Sequence, residues 1–511
     1  MTATATALQP RTLRLNPADN VRVAVDTIMP GASVEGVLAL QRIPKGHKMA
    51  AAQIAEGAPI LKFGQIIGFA KTGIAPGEHI HEHNCGMHDF GRDYRFAEAA
   101  HDDGLLPVEE RRLFEGYVRP GGKIGTRNYI GVLTSVNCSA TVARHIAEAF
   151  NRADILAAFP HVDGVVSFVH GTGCGMGASG EGYETLERTQ WGYASHPNLA
   201  GVLVVGLGCE VFQIPRLMKA YNLVEHEGFR TMTIQETGGT RKTIERGVDM
   251  IREMLPAANA KRRTALPLSG ITVGLQCGGS DGYSGITANP ALGHASDLLV
   301  RHGGTTILSE TPEIYGAEHL LTRRAADRAV GEKLVDLIHW WEDYTARNRG
   351  EMNNNPSPGN KAGGLTTILE KSLGATAKGG TATLRGVYKY AEPIDTHGFV
   401  YMDSPGYDPA SVTGQVASGA NLIAFTTGRG SAAGYKPAPS IKLATHSDLY
   451  ARMSEDMDIN CGDILDGVSI ETKGEEIFEE IVAVASGKRS KSEQLGYGDA
   501  EFVPWQIGAV M

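Results

Sequence analysis

The sequence is poor in cysteine, with six in 511 residues. No C-x-x-C pair occurs, which removes the usual ligand set of a structural zinc ribbon. So few thiols also exclude a disulfide scaffold. No apolar run approaches the ~18 residues of a membrane span. The opening stretch, MTATATALQPRTLRLNPADN, lacks the charged-then-apolar layout of a signal peptide. No long basic run is present, and 48 Lys+Arg against 57 Asp+Glu leaves a net charge of −9. Nucleic acid and anionic membrane are therefore poor partners. Heptads, solenoid repeats and low-complexity blocks are missing too. Together these absences predict a cytoplasmic globular protein.

What is present is an ordinary globular balance, 42% apolar and 21% charged, with an excess of glycine at 64 residues. A chain this long predicts two or three domains. Residues 1–95 read as a small all-β module of short strands between Pro/Gly turns, as in NVRVAVDTIMPGASVEGVLAL. Residues 96–115 carry no strand signal and read as a linker. From there an apolar strand, a glycine-rich turn and an amphipathic helix recur, the signature of βαβ units and a parallel sheet. Two α/β domains are predicted, over 116–265 and 266–511. The helices include TVARHIAEAFNRA, GYETLERTQWGYA and AADRAVGEKLVDLIHWWEDYTAR.

Four cysteines each stand just past a strand. AGVLVVGLGCE places Cys209, YIGVLTSVNCSA Cys138, DGVVSFVHGTGCG Cys174 and GITVGLQCGGSDG Cys277. Their separations of 36, 35 and 68 residues match one, one and two βαβ units of roughly 30 residues or more. Strands of a single sheet would bring the thiols to one edge, where ligands of open α/β sheets sit. Soft thiolates there suit an iron–sulfur cluster, zinc or Cu(I). A catalytic thiol, with His170 as base to Cys174, is a second chemistry. Redox sensing is a third, and burial as a small hydrophobe the structural alternative.

Other stretches bear polar chemistry. In GEHIHEHN, His79, His81 and His83 alternate and would share one face of a strand. They could bind a divalent metal or an anionic substrate, or decorate a surface. SETPE supplies Glu310 and Glu313, and GGSDGYSG supplies Asp281. Lys361 on the turn of NPSPGNKAGG and Arg429 in TTGRGS could each grip a carboxylate. GTGCGMG at Gly171 departs from the dinucleotide fingerprint at Met176, and GGK at 121–123 is followed by Ile124, so it is no P-loop.

In combination, HIHEHN, GTRNYIGVLTSVNCSAT, HGTGCG, HPNLAGVLVVGLGCE, LQCGGSDGYSGITANPALG, GGTTILSETPE, NPSPGNKAGG and FTTGRGS resemble the altronate and galactarate dehydratases of sugar-acid catabolism. The resemblance implies an N-terminal β-clip (SAF-type) domain, a linker and α/β domains, one of them Rossmann-like. It further implies iron dependence under reducing conditions and a homodimer. Cys138, Cys174, Cys209 and Cys277 fall on the family's cysteine positions and His170 on its histidine. Cys85 and Cys461 have no such counterpart, and Thr172 stands where some relatives carry tyrosine. The expected reaction removes a proton α to a carboxylate and a β-hydroxide, leaving a 2-keto-3-deoxy acid without NAD. A Lewis-acidic iron answers both difficulties. A [4Fe–4S] cluster with one open iron is expected on Cys174, Cys209 and Cys277, with Cys138 the fourth candidate. Mononuclear Fe(II) or Mn(II) is the rival. His170 is the expected general base or acid, Glu310 and Lys361 are further expected catalytic residues, and Asp281 is expected to bind substrate. Lys361 and Arg429 would bind substrate carboxylates, and the N-terminal histidines would close over the site. A β-elimination of the sulfolactate type and a silent sugar-acid or redox-sensing protein are the alternatives.

Overall fold

A computed structural model describes residues 9–88, 91–151 and 154–510. The N-terminal module holds no helix among its described residues. Its strands are short because Pro/Gly turns interrupt them every few residues. Thr12–Leu13, Val21–Ala24, Lys48–Ala50 and His79–Ile80 form one antiparallel sheet, and Pro59–Lys62, Gln65–Ala70 and Cys85–Gly86 a second. Ile54, Ile60, Ile67, Ile74 and Ile80 fill the space between them. The alternating histidines do not share a strand face: only His79 lies in a strand, and His81 and His83 belong to the turn after it.

Beyond the linker, Leu113–Val118 pairs antiparallel with Thr264–Pro267, so one small sheet joins the entry to and exit from the second unit. Inside that unit four parallel strands run in the order Gly164–Phe168, Tyr129–Thr134, Leu199–Gly206, Phe229–Thr233. Helices Ala140–Asn151, Glu181–Ala194, Ile214–Ala220 and Thr240–Ala260 follow them. Every residue of Tyr129–Thr134 is buried, as a strand covered on both faces requires.

The third unit is built on seven parallel strands: Leu384–Tyr388, Gly398–Met402, Thr305–Leu308, Thr272–Cys277, Leu422–Thr427, Ser440–Ala444 and Ile459–Asn460. Strand order reverses at Thr272–Cys277, whose neighbours are Thr305–Leu308 on one side and Leu422–Thr427 on the other. That reversal opens a crevice outside the carboxyl ends of the strands. Cys277 therefore belongs to a different sheet from the other three strand-end cysteines. The 68 residues between Cys209 and Cys277 contain the Thr264–Pro267 exit strand and a change of sheet, not two further units of the same sheet. Spacing counts residues and is blind to which sheet a strand joins.

The two parallel sheets meet through the helices Glu181–Ala194 and Asp408–Ala417. A Cβ at Gly192 would stand 2.2 Å from the Ala417 carbonyl oxygen, so only glycine permits this approach. The C-terminal segment ties them further: Phe502 packs edge-on against Phe168 and Tyr193, and Trp505 stacks on Trp341. Among the described residues no helix is long and apolar enough to cross a membrane.

Candidate functional site

At the switch point the strand ends deliver a buried charged cluster. Thr305–Leu308 runs into Glu310, whose backbone is left-handed at φ 71°. A non-glycine residue holds that conformation at a cost of about 1–3 kcal/mol unless its surroundings impose it. Here the Glu310 N–H donates to Ser404 Oγ at 2.9 Å, and Thr311 Oγ1 donates to Asp403 at 2.5 Å. Trp341 Nε1 donates to the same Asp403 oxygen at 2.8 Å. The strain aims Glu310 at the ends of the neighbouring strands.

Cys277 Sγ lies 3.6 Å from Glu313 Oε2 and accepts from Ser280 Oγ at 3.5 Å. Glu313 Oε1 accepts from Lys371 Nζ at 2.7 Å and from Asn355 Nδ2 at 2.8 Å. Lys378 Nζ stands 3.5 Å from Glu310 Oε2, both side chains fully buried. Glu310 Oε1 is buried without a hydrogen-bond partner. Asp408, at the start of its helix, packs against Gly278: a Cβ there would meet Asp408 Oδ2 at 2.3 Å. A cavity of about 290 Å³ opens onto Cys277, Glu313, Asn355, Lys371, Tyr407 and Asp408.

Burial dominates the electrostatics. It pushes the Cys277 thiol up to about 12. Burial, reinforced by Glu313, holds the Glu310 carboxyl well above the usual range. Burial acts on Glu313 too, but Lys371 and Lys378 outweigh it and its carboxyl falls below the ordinary value. Asp408 is pushed up to about 7 by burial and by Glu313, where a carboxyl can both take and return a proton near neutral pH. Cys277, Glu310 and Glu313 bring their donor atoms within 4.8 Å of one another. Two carboxylates with one thiolate suit Fe(II) or Mn(II). The unpartnered Glu310 oxygen is a donor atom in that set with no other partner.

The other expected residues divide between this edge and elsewhere. Asp281 is buried behind the site, accepting from Ser284 Oγ at 2.9 Å and from Thr445 Oγ1 at 3.1 Å, so its carboxylate knits loops together. Lys361 Nζ is paired with Glu82 Oε1 at 2.7 Å. The histidines do reach its loop: His81 Nε2 meets the Lys361 carbonyl at 2.9 Å and His47 Nε2 the Ala362 carbonyl at 3.3 Å. His47, unanticipated from sequence, also sits 3.0 Å from His79 Nε2 through Nδ1. Burial pushes His47 down to about 4 and His79 to about 3, so both are neutral imidazoles at pH 7. Arg429 is exposed beside Gly279, with no hydrogen bond or ion pair among the described residues.

Docking of the β module depends on a buried triad. Lys48 and Lys62 both reach Glu370, at 2.8 and 3.0 Å. Glu370 and Lys371 are neighbours on the Ile368–Thr376 helix, so this helix faces the docked module with one residue and the charged cluster with the next.

His170 lies apart, on the four-stranded sheet. Its Nε2–H donates to the Thr134 carbonyl at 2.8 Å, and its Nδ1 accepts from the Thr172 N–H at 3.3 Å. Burial pushes its ring down to about 4. Both nitrogens are thus committed to backbone, and the ring fixes the loop that carries Cys174. Cys138, Cys174 and Cys209 are exposed on three loops of this sheet, whereas Cys277 is buried. The structure therefore groups the cysteines as three and one.

Sequence reading missed Lys371, Lys378, Asp408 and Asn355. A signal existed for the lysines: apart from Glu370, ILEKSLGATAKGG is otherwise apolar or small, and a charge in such a helix is rarely left without a buried partner.

Three family models match along the chain: an altronate/galactarate dehydratase SAF domain over 10–88, the second domain of D-galactarate dehydratase/altronate hydrolase over 116–259, and the C-terminal domain of D-galactarate/altronate dehydratase over 268–510. The chain is similar to altronate dehydratase of Escherichia coli (strain K12), 35% identical over 488 residues, or 94% of this chain and 96% of that one. It is 37% identical to galactarate dehydratase (L-threo-forming) of the same organism, over 95% of this chain and 94% of that one. With the beta subunit of (2R)-sulfolactate sulfo-lyase of Chromohalobacter salexigens it shares 31% identity over 77% of this chain and 97% of that one. With all three domains matched in order and relatives aligned nearly end to end, the chain belongs to the D-galactarate/altronate dehydratase family.

Proposed function

We propose that this protein is a sugar-acid dehydratase, a hydro-lyase that converts galactarate or altronate to a 2-keto-3-deoxy acid. The observation that carries the reading is the buried Glu310–Glu313–Lys371–Lys378 cluster against Cys277, which reaches a cavity of about 290 Å³ at the switch point through Cys277, Glu313 and Lys371. A six-carbon hydroxy acid fits that volume. Cys277, Glu310 and Glu313 would hold Fe(II) or Mn(II), which when bound polarises the substrate carboxylate and eases departure of hydroxide.

The protein's own groups do the rest. The Lys371 ammonium lines the cavity and would stabilise the negative charge that gathers as the α-proton leaves, with Lys378 buried behind it on Glu310. Asp408 as carboxylate takes the α-proton. It then returns the proton to the departing β-hydroxyl, so that C–H and C–O bonds break, a C=C bond forms and water leaves. The enol product tautomerises to the keto acid. Exposed Arg429 would meet a substrate carboxylate at the rim. The neutral histidines seal the loop 361–364 from the other side. A cytoplasmic homodimer is the working assembly, on family resemblance alone; sedimentation of the purified protein reads it.

The test is an anaerobic assay with ferrous iron and reductant, on galactarate, altronate and sulfolactate. Keto-acid formation from a sugar acid, reduced 10²–10⁴-fold in Asp408→Asn, is the expected result. Sulfite release from sulfolactate alone would move the reading to the sulfo-lyase reaction, which the 31% identical relative makes the second choice. No product from any of them would favour a binding protein.

A further inference from the structure

The four-stranded sheet carries sulfur that the dehydration site does not use. Three of the six cysteines, Cys85, Cys277 and Cys461, are buried, and three, Cys138, Cys174 and Cys209, are exposed. Free cysteine is among the residues most often buried, so three exposed on one molecule need a reason. All three lie just past adjacent strands of one sheet, Tyr129–Thr134, Gly164–Phe168 and Leu199–Gly206.

Their loops are locked to one another. The Asn137 N–H donates to the Thr172 carbonyl at 3.0 Å, joining the Cys138 and Cys174 loops. The Phe212 N–H donates to the Gly173 carbonyl at 3.0 Å, joining those of Cys174 and Cys209. Ser135 Oγ donates to Glu210 Oε1 at 2.5 Å, closing the triangle. Glu210 is buried, and its other oxygen accepts from the Gly208 N–H at 2.6 Å, which fixes the turn that presents Cys209. Gly173 is left-handed, and a Cβ there would stand 2.1 Å from the Ser135 carbonyl oxygen. Only glycine lets the Cys174 loop come this close. From the turn of helix Ile234–Thr237 just past the fourth strand, which brings no cysteine, Gln235 Nε2 donates to Cys209 Sγ at 3.4 Å.

The spacing of the sulfurs argues against a single ion. Thiolates on one tetrahedral ion at ~2.3 Å must stand within ~4 Å of each other. Among the described residues the three sulfurs do not all fall within 4.8 Å, as the Cys277 set does. In an iron–sulfur cluster each thiolate sits on its own iron, so thiols presented by three neighbouring, interlocked loops suit it where a single tetrahedral ion does not. We propose that Cys138, Cys174 and Cys209 are the protein ligands of an iron–sulfur cluster, a centre separate from the one at Cys277. A four-iron cluster held this way keeps one iron without a protein sulfur, and the three thiols lose their protons on binding. The Gln235 amide is then a hydrogen bond to a cluster thiolate, of the kind that tunes such centres.

The experiment is anaerobic reconstitution of the full chain with ferrous iron and sulfide, read by visible absorption, EPR and analysis of iron and acid-labile sulfide. A sulfide-dependent chromophore is expected, lost in Cys138→Ser, Cys174→Ser and Cys209→Ser and kept in Cys277→Ser. Circular dichroism checks that the variants fold. Should a serine variant not fold, iron X-ray absorption of the wild type reads the same point: a sulfur shell is expected, and a shell of oxygen and nitrogen overturns the proposal. So does a chromophore that forms without sulfide, or one that Cys277→Ser alone removes. None of these readings depends on turnover, so a failed dehydration assay leaves them intact.

Discussion

Replacing Glu370 by glutamine tests how the β module is held over the site. The carboxylate is wholly buried and accepts from Lys48 Nζ at 2.8 and 3.0 Å, from Lys62 Nζ at 3.0 Å and from Thr366 N and Oγ1 at 3.0 and 2.8 Å. Burial alone would raise its pKa, but the two lysines hold the carboxyl down at about 2 against an ordinary 4.5. That depression corresponds to about 3 kcal/mol at 1.36 kcal/mol per unit. Breaking a buried ion pair from one side costs about 3–5 kcal/mol, and the two figures agree. The depressed carboxyl stabilises the fold fully above about pH 4.5, and that contribution fades as pH falls toward 2. Urea unfolding followed by circular dichroism at pH 7 is expected to show Glu370→Gln less stable by about 3 kcal/mol. Repeated at pH 5, 4 and 3, the gap to wild type should narrow. A loss below about 1 kcal/mol at pH 7, or a gap that does not change with pH, refutes the reasoning.

Four further outcomes follow from named contacts. Gly173→Ala must push the Ser135 carbonyl aside, and loss of cluster uptake with a lowered melting temperature is expected in the reconstitution assay. With Asp408 near 7 and acting as base, kcat/KM should rise with pH through about 7 and level above it; a profile flat from pH 5 to 8 would remove Asp408 from that role. His170→Gln forfeits backbone contacts worth about 1–3 kcal/mol but should leave the pH–rate profile unmoved, because the buried ring is already neutral above about pH 4. Lys361→Ala breaks a half-exposed pair with Glu82 and should change unfolding stability by less than about 1 kcal/mol.

The α/β units were legible because parallel strands covered on both faces read as unbroken apolar runs. TVGLQC is buried from Val273 onward and LIAFTT along its whole length, and both were found where the pattern placed them. The charged cluster was legible only where a residue type stood out at a strand end, as with Cys277, Glu310 and Glu313. Lys371 and Lys378 escaped because their partners, Glu313 and Glu310, lie 58 and 68 residues away. His47 escaped because it meets His79 across 32 residues of turns.

Local pattern therefore decided the kinds of element, their order and the placing of four cysteines beyond strands, since each depends on side chains a few residues apart. Tertiary structure alone decided that those strands divide between two sheets, leaving three thiols on one edge and the fourth among buried carboxylates and lysines. Strand pairing and buried ion pairs join residues remote in the chain, and their energy leaves no periodic trace in the segments that make them.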